Sequence, residues 1–361
     1  FSRISTLSMT NSGAPQGIMA FLQHFTGLAR LELRNVALGE LPPALSSMPR
    51  LNQLLLSDCG IVLTPDTQAT LSSLSNLVTL DLYGNPLGLA PRLQGMSELN
   101  YIDLSNTGIS NVPEGLLGHQ SLRTAILNDN QITDLDPAFF NLPSRISKGM
   151  DFGNNPLTLA IREQIKSYFQ RTLQDFGVMA APADIDRVQA LYPLLDREEA
   201  SDFIYLQPGN LEAGRTELTR LETEYTTLRN DLAAWTSDLP AVHPQTGQPF
   251  TNAQLTEEHL ARDAFKETVE QCWRRESDME GVNAAGEPHY ELYTDEVING
   301  DLPQLSAQFK HVSRLQMDGE NKATSRPEGF LRCFPNLQNL TISDFALSTV
   351  PSPVFNMSEL K

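Results

Sequence analysis

The sequence predicts an α/β solenoid of short parallel strands, curved, and interrupted by an all-α helical hairpin region. Three observations predict it. The pattern L-x-x-L-x-L returns at Leu28-Leu31-Leu33, Leu51-Leu54-Leu56, Leu77-Leu80-Leu82, Leu99-Ile102-Leu104 and Leu122-Ala125-Leu127. Three residues beyond the last apolar position stands a small polar or thiol side chain: Cys59, Asn85, Thr107 and Asn130 in four of these turns. Between the repeats at the two ends, the apolar period changes to the three-and-four spacing of helices.

Successive repeats start 22 to 26 residues apart, the period of the leucine-rich repeat. Each L-x-L is a short strand, because alternate side chains of a strand share a face and the leucines then enter the core. Met150 and Phe152 keep the strand positions of a sixth turn, with Asn155 behind them, and Ile4, Leu7 and Met9 mark a degenerate earlier one. Cys59, Asn85, Thr107, Asn130 and Asn155 are expected to form a structural ladder, each side chain turned inward to bond the backbone of neighbouring turns. Val36 occupies the same place with no polar group and should weaken the ladder at the first complete repeat. A ladder place also explains the unpaired Cys59 better than a reactive thiol does. No single turn buries its own apolar face, so the array folds as a unit.

The chain is expected to divide into a repeat arc over 1–157, a helical cap over 158–180, an α-helical inter-arc region with an antiparallel helix pair over 181–300, and the start of a second arc over 301–361. In the cap, Ile161, Ile165, Tyr168, Phe169 and Leu173 fall on one helix face, suited to closing the open end of a solenoid. Leu218, Leu221, Tyr225, Leu228, Leu232 and Trp235 form the seam of a long helix. After a loop rich in proline, Leu260, Ala264, Phe265, Val269 and Trp273 line a second helix. A strand is expected at Tyr290 to Tyr293.

The second arc opens as a near copy of the first. Residues 21–51 match 330–360 at a constant offset, with Phe21/Phe330, Leu22/Leu331, Phe25/Phe334, Ala37/Ala346, Pro42/Pro351 and Met48/Met357 identical. Phe1, Ile4, Ser5, Leu7 and Met9 are echoed by Phe309, Val312, Ser313, Leu315 and Met317. Both copies then carry an insertion. Shared repeat consensus accounts for the leucines but not for the phenylalanines, so the chain reads as a super-repeat. Beginning and stopping inside repeats, it also reads as a piece of a longer protein.

Composition narrows the function. With 26 basic and 44 acidic residues the net charge is −18, a surface that repels phosphate backbones, so nucleic acid is a poor partner and a basic protein surface a better one. No apolar run is long enough for a membrane span. Three widely spaced cysteines, Cys59, Cys272 and Cys333, make neither a disulfide framework nor a zinc site. The six histidines lack metal-ligand spacing, and no phosphate loop, dinucleotide fingerprint or nucleophile elbow occurs. No catalytic residue, metal site or cofactor is therefore expected. Another protein is the expected partner, held by the concave face of the strands through Glu32, Arg34, Asp58, Asp81, Tyr83, Tyr101, Asp103 and Asn128, with Leu55, Ile126 and Asp129 beside them. The tyrosines would serve as anchors.

The stretch NNPLTLAIREQIKSYFQRTLQDFG, followed by LEAGRTELTRLETEYTTLRNDLAAW and EQCWRRES, resembles bacterial leucine-rich-repeat type III effectors of the NEL class of E3 ubiquitin ligases. That resemblance implies a recognition segment of a large secreted effector working in the host cytoplasm. Through the parent protein it also implies a ubiquitin-conjugating enzyme as a partner. The family's nucleophile lies in Cys-x-Asp, whereas Cys59 precedes Gly-Ile, Cys272 precedes Trp-Arg and Cys333 precedes Phe-Pro. No residue here takes the catalytic role, and a ligase domain would lie outside these residues. Two alternatives are a thiol ligase acting through Cys272, and a structural or adhesive repeat array.

Overall fold

In a computed structural model the structure describes residues 3–244, 246–282, 288–323, 326–345 and 347–361. Phe1 and Ala346, named above in the match between the two arcs, lie outside the described residues. The chain forms two compact units, Phe1–Ala180 and Ala181–Lys361.

The first unit holds seven strands, β1 (Thr6–Gly13), β2 (Arg30–Val36), β3 (Gln53–Ser57), β4 (Thr79–Asp81), β5 (Tyr101–Asp103), β6 (Thr124–Ile126) and β7 (Met150–Asp151), hydrogen-bonded in sequence order. Every pairing is parallel. The register runs Leu31–Leu54–Leu80–Ile102–Ala125–Met150, so one apolar row crosses the whole sheet. The inward leucines Leu31, Leu33, Leu54, Leu56 and Leu80 are fully buried, each contributing about 1.5–3 kcal/mol. The return segments carry little regular structure: α1 (Ile18–Leu22), α2 (Pro65–Ser72), α3 (Ser144–Ser147) and two short 3₁₀ turns.

Helix α4 (Leu159–Thr172) covers the last turn. Ile161, Ile165, Tyr168 and Phe169 are buried, and the Tyr168 hydroxyl bonds the Leu142 carbonyl at 2.6 Å and Ser147 Oγ at 2.7 Å. Tyr168 also stacks on Phe176 at 4.9 Å. Leu173 departs from the expected face. It adopts a left-handed conformation as the residue that ends the helix, which turns its side chain out to solvent.

The second unit begins with α5 (Pro182–Leu191), α6 (Arg197–Leu206), α7 (Leu211–Ser237) and α8 (Asn252–Trp273). Contacts of Tyr225 with Trp273, Arg229 with Glu270 and Arg262 with the Trp235 carbonyl run in opposite senses along α7 and α8, which makes the pair antiparallel. The buried face of α8 keeps the expected Phe265, Val269 and Trp273 but departs in its first half, where Leu260 and Ala264 are exposed and Glu258 and Arg262 are buried instead. The cause is Arg262, whose guanidinium donates to Glu258 and to the carbonyls of Trp235, Asp238 and Asn299 within 3.0 Å. A buried charge is tolerated only when its donors are satisfied in this way.

Two strands, β8 (Met279–Val282) and β9 (Pro288–Thr294), precede β10 (Val312–Ala323), α9 (Glu328–Leu331) and β11 (Asn339–Phe345) in a sheet ordered β11-β10-β9-β8. Because β9 pairs in parallel with β10, the second sheet starts before residue 301 and the stretch 181–300 is not wholly helical. The near copy extends to hydrogen-bond register. Leu7 faces Leu31 and Thr10 faces Arg34 in the first unit; Leu315 faces Leu340 and Asp318 faces Ser343 in the second, with an irregularity following each. The 3₁₀ turns Pro43–Ser47 and Ser352–Asn356 occupy equivalent places.

Candidate protein-binding face

The ladder fixes where each strand ends and so aims the opposite face. Asn85 Nδ2 donates to its own turn at the Leu82 carbonyl (2.8 Å) and to the preceding turn at the Leu56 carbonyl (2.5 Å). Its Oδ1 accepts from the amides of Cys59 and Ile61. Asn130 repeats this toward Leu104, Leu127, Thr107 and Ile109, and Asn155 toward Leu127, Phe152 and Ile132. The Cys59 thiol reaches back to the Leu33 carbonyl at 3.2 Å. Thr107 is shorter and bonds its own turn at Leu104. Val36 is buried with no such bond to make.

One position before the ladder, Asn11, Asn35, Asp58, Asn106, Asp129 and Asn154 all take positive φ, with Gly84 in the same slot of its turn. Asn and Asp tolerate this left-handed conformation better than other side chains. That places Asp58 on the turn rather than on the strand face expected for it. Its carboxylate lies so close to Gly84 that a Cβ there would sit 2.0 Å from Oδ1. In its repeat the strand row is instead continued by Leu55 and the buried Ser57.

On the face turned away from the core, the register aligns Glu32, Leu55, Asp81, Asp103, Ile126 and Asp151 in one row. Arg30, Gln53, Thr79, Tyr101 and Thr124 form the row beside it. Tyr83 is 40% exposed and Asn128 half-buried, each two residues beyond a strand aspartate or isoleucine. Glu32 is already neutralised: Arg30 and Arg34 bond its two oxygens at 2.8 and 2.9 Å, and the Arg30 hydrogen bond holds its carboxyl below the usual range. The unpaired acids are therefore Asp81, Asp103 and Asp151. Asp151 was not among the predicted residues, although the strand pattern Met150-Asp151-Phe152 carried the signal.

Each of these three aspartates accepts a hydrogen bond from the amide two residues on, Tyr83, Ser105 and Gly153, at 2.8 to 3.0 Å. None forms an ion pair among the described residues. Burial, then the Asp103 charge, pushes Asp81 above the ordinary carboxylate range; burial, then Asp129 and Asp103, does the same for Asp151. Tyr101 lies beside them, its hydroxyl 3.5 Å from Asp103 and its pKa raised by burial and by that carboxylate. Negative charge is thus concentrated over β4 to β7 and internally balanced over β2.

Cys59, Cys272 and Cys333 are all buried, and burial pushes Cys272 up to about 12 and Cys333 to about 11. A thiol must ionise to attack. The structure brings His311, which no spacing could reveal, to 2.8 Å from the Cys272 carbonyl. Burial lowers its pKa to about 4, so it stands there as a neutral hydrogen-bonding group. No group of acids, histidines and cysteines able to hold a metal occurs among the described residues. No helix among them is long and apolar enough to cross a membrane.

No family model matches the chain. Decorin of Rattus norvegicus is 35% identical over 122 residues, which are 32% of this chain and 33% of decorin. The chain thus spans about a third of that relative. Among solved structures, a leucine-rich-repeat protein of Leptospira interrogans aligns over 100% of this chain and 77% of its own at 16% identity and a TM-score of 0.37. Internalin C2 of Listeria monocytogenes aligns over 43% of this chain and 74% of its own at 22% identity and a TM-score of 0.30. Parallel register, a leucine row and an inward ladder recurring turn after turn give the first unit the leucine-rich-repeat fold.

Proposed function

We propose that the first unit is a protein-recognition scaffold whose occupant is a basic segment lying across β4 to β7. The observation that supports this is the alignment of Asp81 with Asp103 on adjacent strands, with Asp151 further along the row and none of them in an ion pair among the described residues. Lysine or arginine side chains of a partner would relieve their mutual repulsion, and Tyr83 and Tyr101 offer aromatic contact area. The test is a displayed library of extended peptides screened against the full chain and against an Asp81→Lys, Asp103→Lys double variant. Basic sequences should be enriched, with binding that weakens with salt and falls at least ten-fold in the double variant. Equal affinity for both proteins, or enrichment of acidic sequences, overturns the reading.

The helical segment between the arcs supports a finer placement, by its resemblance to NEL-class effectors: a scaffold within a large secreted bacterial protein that works in the host cytoplasm. Ligase chemistry and contact with a ubiquitin-conjugating enzyme would then belong to residues outside 1–361. The full reading frame tests this. A Cys-x-Asp domain supports it, whereas a wall anchor favours an adhesive array.

A further inference from the structure

The second unit contains a cleft of about 290 Å³, bounded by α6, α7, the end of α8 and residues 308–311. Taking about 30 Å³ per water, it has room for roughly ten waters, or for a small metabolite. Its floor is aromatic: Tyr192 stacks on Trp273 at 5.8 Å and tilts against Phe203 at 5.4 Å.

Arg275 spans this floor, its guanidinium 4.8 Å from the Tyr192 ring centre and 5.9 Å from that of Phe203. Its Nε is buried without a hydrogen-bond partner, and its guanidinium forms no ion pair among the described residues. Arg275 also has φ of +60°, just past the end of α8, a place where glycine or asparagine is the usual residue. An arginine held in an unfavourable backbone conformation, with its donors uncommitted, is prepared for something it does not yet touch.

The acids of the cleft are already spent. Arg220 bonds both oxygens of Glu217, at 2.8 and 2.9 Å, and one oxygen of Glu224. The other Glu224 oxygen accepts from the Trp273 indole and the Gln308 amide, each at 3.3 Å. Lys310, on the same wall, has no ion pair among the described residues. What remains uncommitted is positive, inside a chain whose net charge is −18. We infer that the cleft binds a small oxyanion of the carboxylate or phosphate type, with Arg275 and Lys310 as counter-ions and the Tyr192–Trp273 stack as a floor for its body. A guanidinium pairs with either oxyanion through two parallel hydrogen bonds.

The experiment is calorimetric titration of the full chain with inorganic phosphate and, separately, with benzoate, at ionic strength held constant with chloride. Saturable binding of at least one is expected, weakened ten-fold or more in Arg275→Gln and in the surface variant Lys310→Gln, and unchanged in Arg332→Gln. Response to phosphate alone assigns a phosphate ligand, and response to benzoate alone a carboxylate. If Arg275→Gln fails to fold, Lys310→Gln carries the test. No saturable binding of either anion, or equal binding by the wild type and Lys310→Gln, overturns the inference.

Discussion

Asn130 Oδ1 accepts hydrogen bonds from the amides of Thr107, at 3.0 Å, and Ile109, at 3.3 Å, one repeat upstream, and the Thr107 hydroxyl donates to the Leu104 carbonyl at 2.7 Å. This ties two turns together through a single side-chain oxygen, while the Nδ2 of the same residue holds the carbonyls of Leu104 and Leu127. Asn130→Ala leaves the buried amides of Thr107 and Ile109 without this acceptor, while the Leu104 carbonyl keeps the Thr107 hydroxyl and the Leu127 carbonyl keeps Asn155. At about 1–3 kcal/mol for each group that stays unpaired, a net loss of about 3 kcal/mol is expected. Thr107→Val, which removes only the hydroxyl, should cost about 1 kcal/mol. Urea unfolding of the two variants measures the order; equal losses would mean that the ladder is not what joins these turns.

Phe21 and Phe330 hold equivalent places in the two arcs and differ in burial. Phe21 is 41% exposed, whereas Phe330 is fully buried, 5.1 Å from the Phe265 ring of α8. Phe330→Ala should destabilise the second unit by about 3–4 kcal/mol. Phe21→Ala should cost the first unit about 1 kcal/mol, because much of its ring stays in water in the folded state. Thermal unfolding of the two variants checks the asymmetry.

The carboxyls of Asp81 and Asp151 have folded-state pKa values above the ordinary 3.8. A raised value means that the native state binds protons more tightly than the unfolded chain. The resulting stabilisation is complete below about pH 4 and is lost as the pH rises through the folded value. Asp81→Asn, which keeps an oxygen for the Tyr83 amide, should therefore be more stable than the wild type at pH 7. The advantage should vanish at pH 3. Urea midpoints at the two pH values decide it, and a variant less stable at pH 7 refutes the electrostatic account of the row.

A disulfide reagent added to the native chain should label none of the three thiols faster than the protein unfolds, and all three in guanidinium. The reason is that burial keeps Cys59, Cys272 and Cys333 protonated and covered. For the same reason no reducible adduct with charged ubiquitin-conjugating enzyme should form on Cys272. Rapid labelling of Cys272, or such an adduct, would restore it as a nucleophile.

The ladder was legible because its chemistry is local: an inward amide three residues past a strand leucine has a fixed set of backbone groups to meet. The row of left-handed residues was equally legible in principle, since Asn, Asp or Gly stands just before each ladder position from Asn35 to Asn154, and reading it would have taken Asp58 off the binding face. Asp151 is masked in the sequence by Met150 and Phe152, whose apolar side chains carry the strand signal on either side of it. The buried side of α8 was legible only in its second half, where Phe265, Val269 and Trp273 lie as their spacing predicts. Arg262 finds carbonyls at Trp235, Asp238 and Asn299, which no periodicity relates, and it turns the helix away from Leu260. Arg275 belongs to the same class, its aromatic partners arriving from two other helical segments.

The shared register of the two arcs has a consequence for how the chain reaches its native state. β1 and β10 present nearly the same apolar side chains to β2 and β11 with the same alignment, so each is a chemically acceptable neighbour for the other's partner. A nascent chain therefore meets a second, register-matched pairing, the kind of trap to which duplicated sequences are prone. What separates the correct pairing from the wrong one is kinetic as much as energetic. β1 and β2 are joined by a short segment and find each other quickly, whereas β1 and β11 lie more than 300 residues apart. Divergence such as that between the exposed Phe21 and the buried Phe330 acts on top of this, penalising the exchange after it has begun.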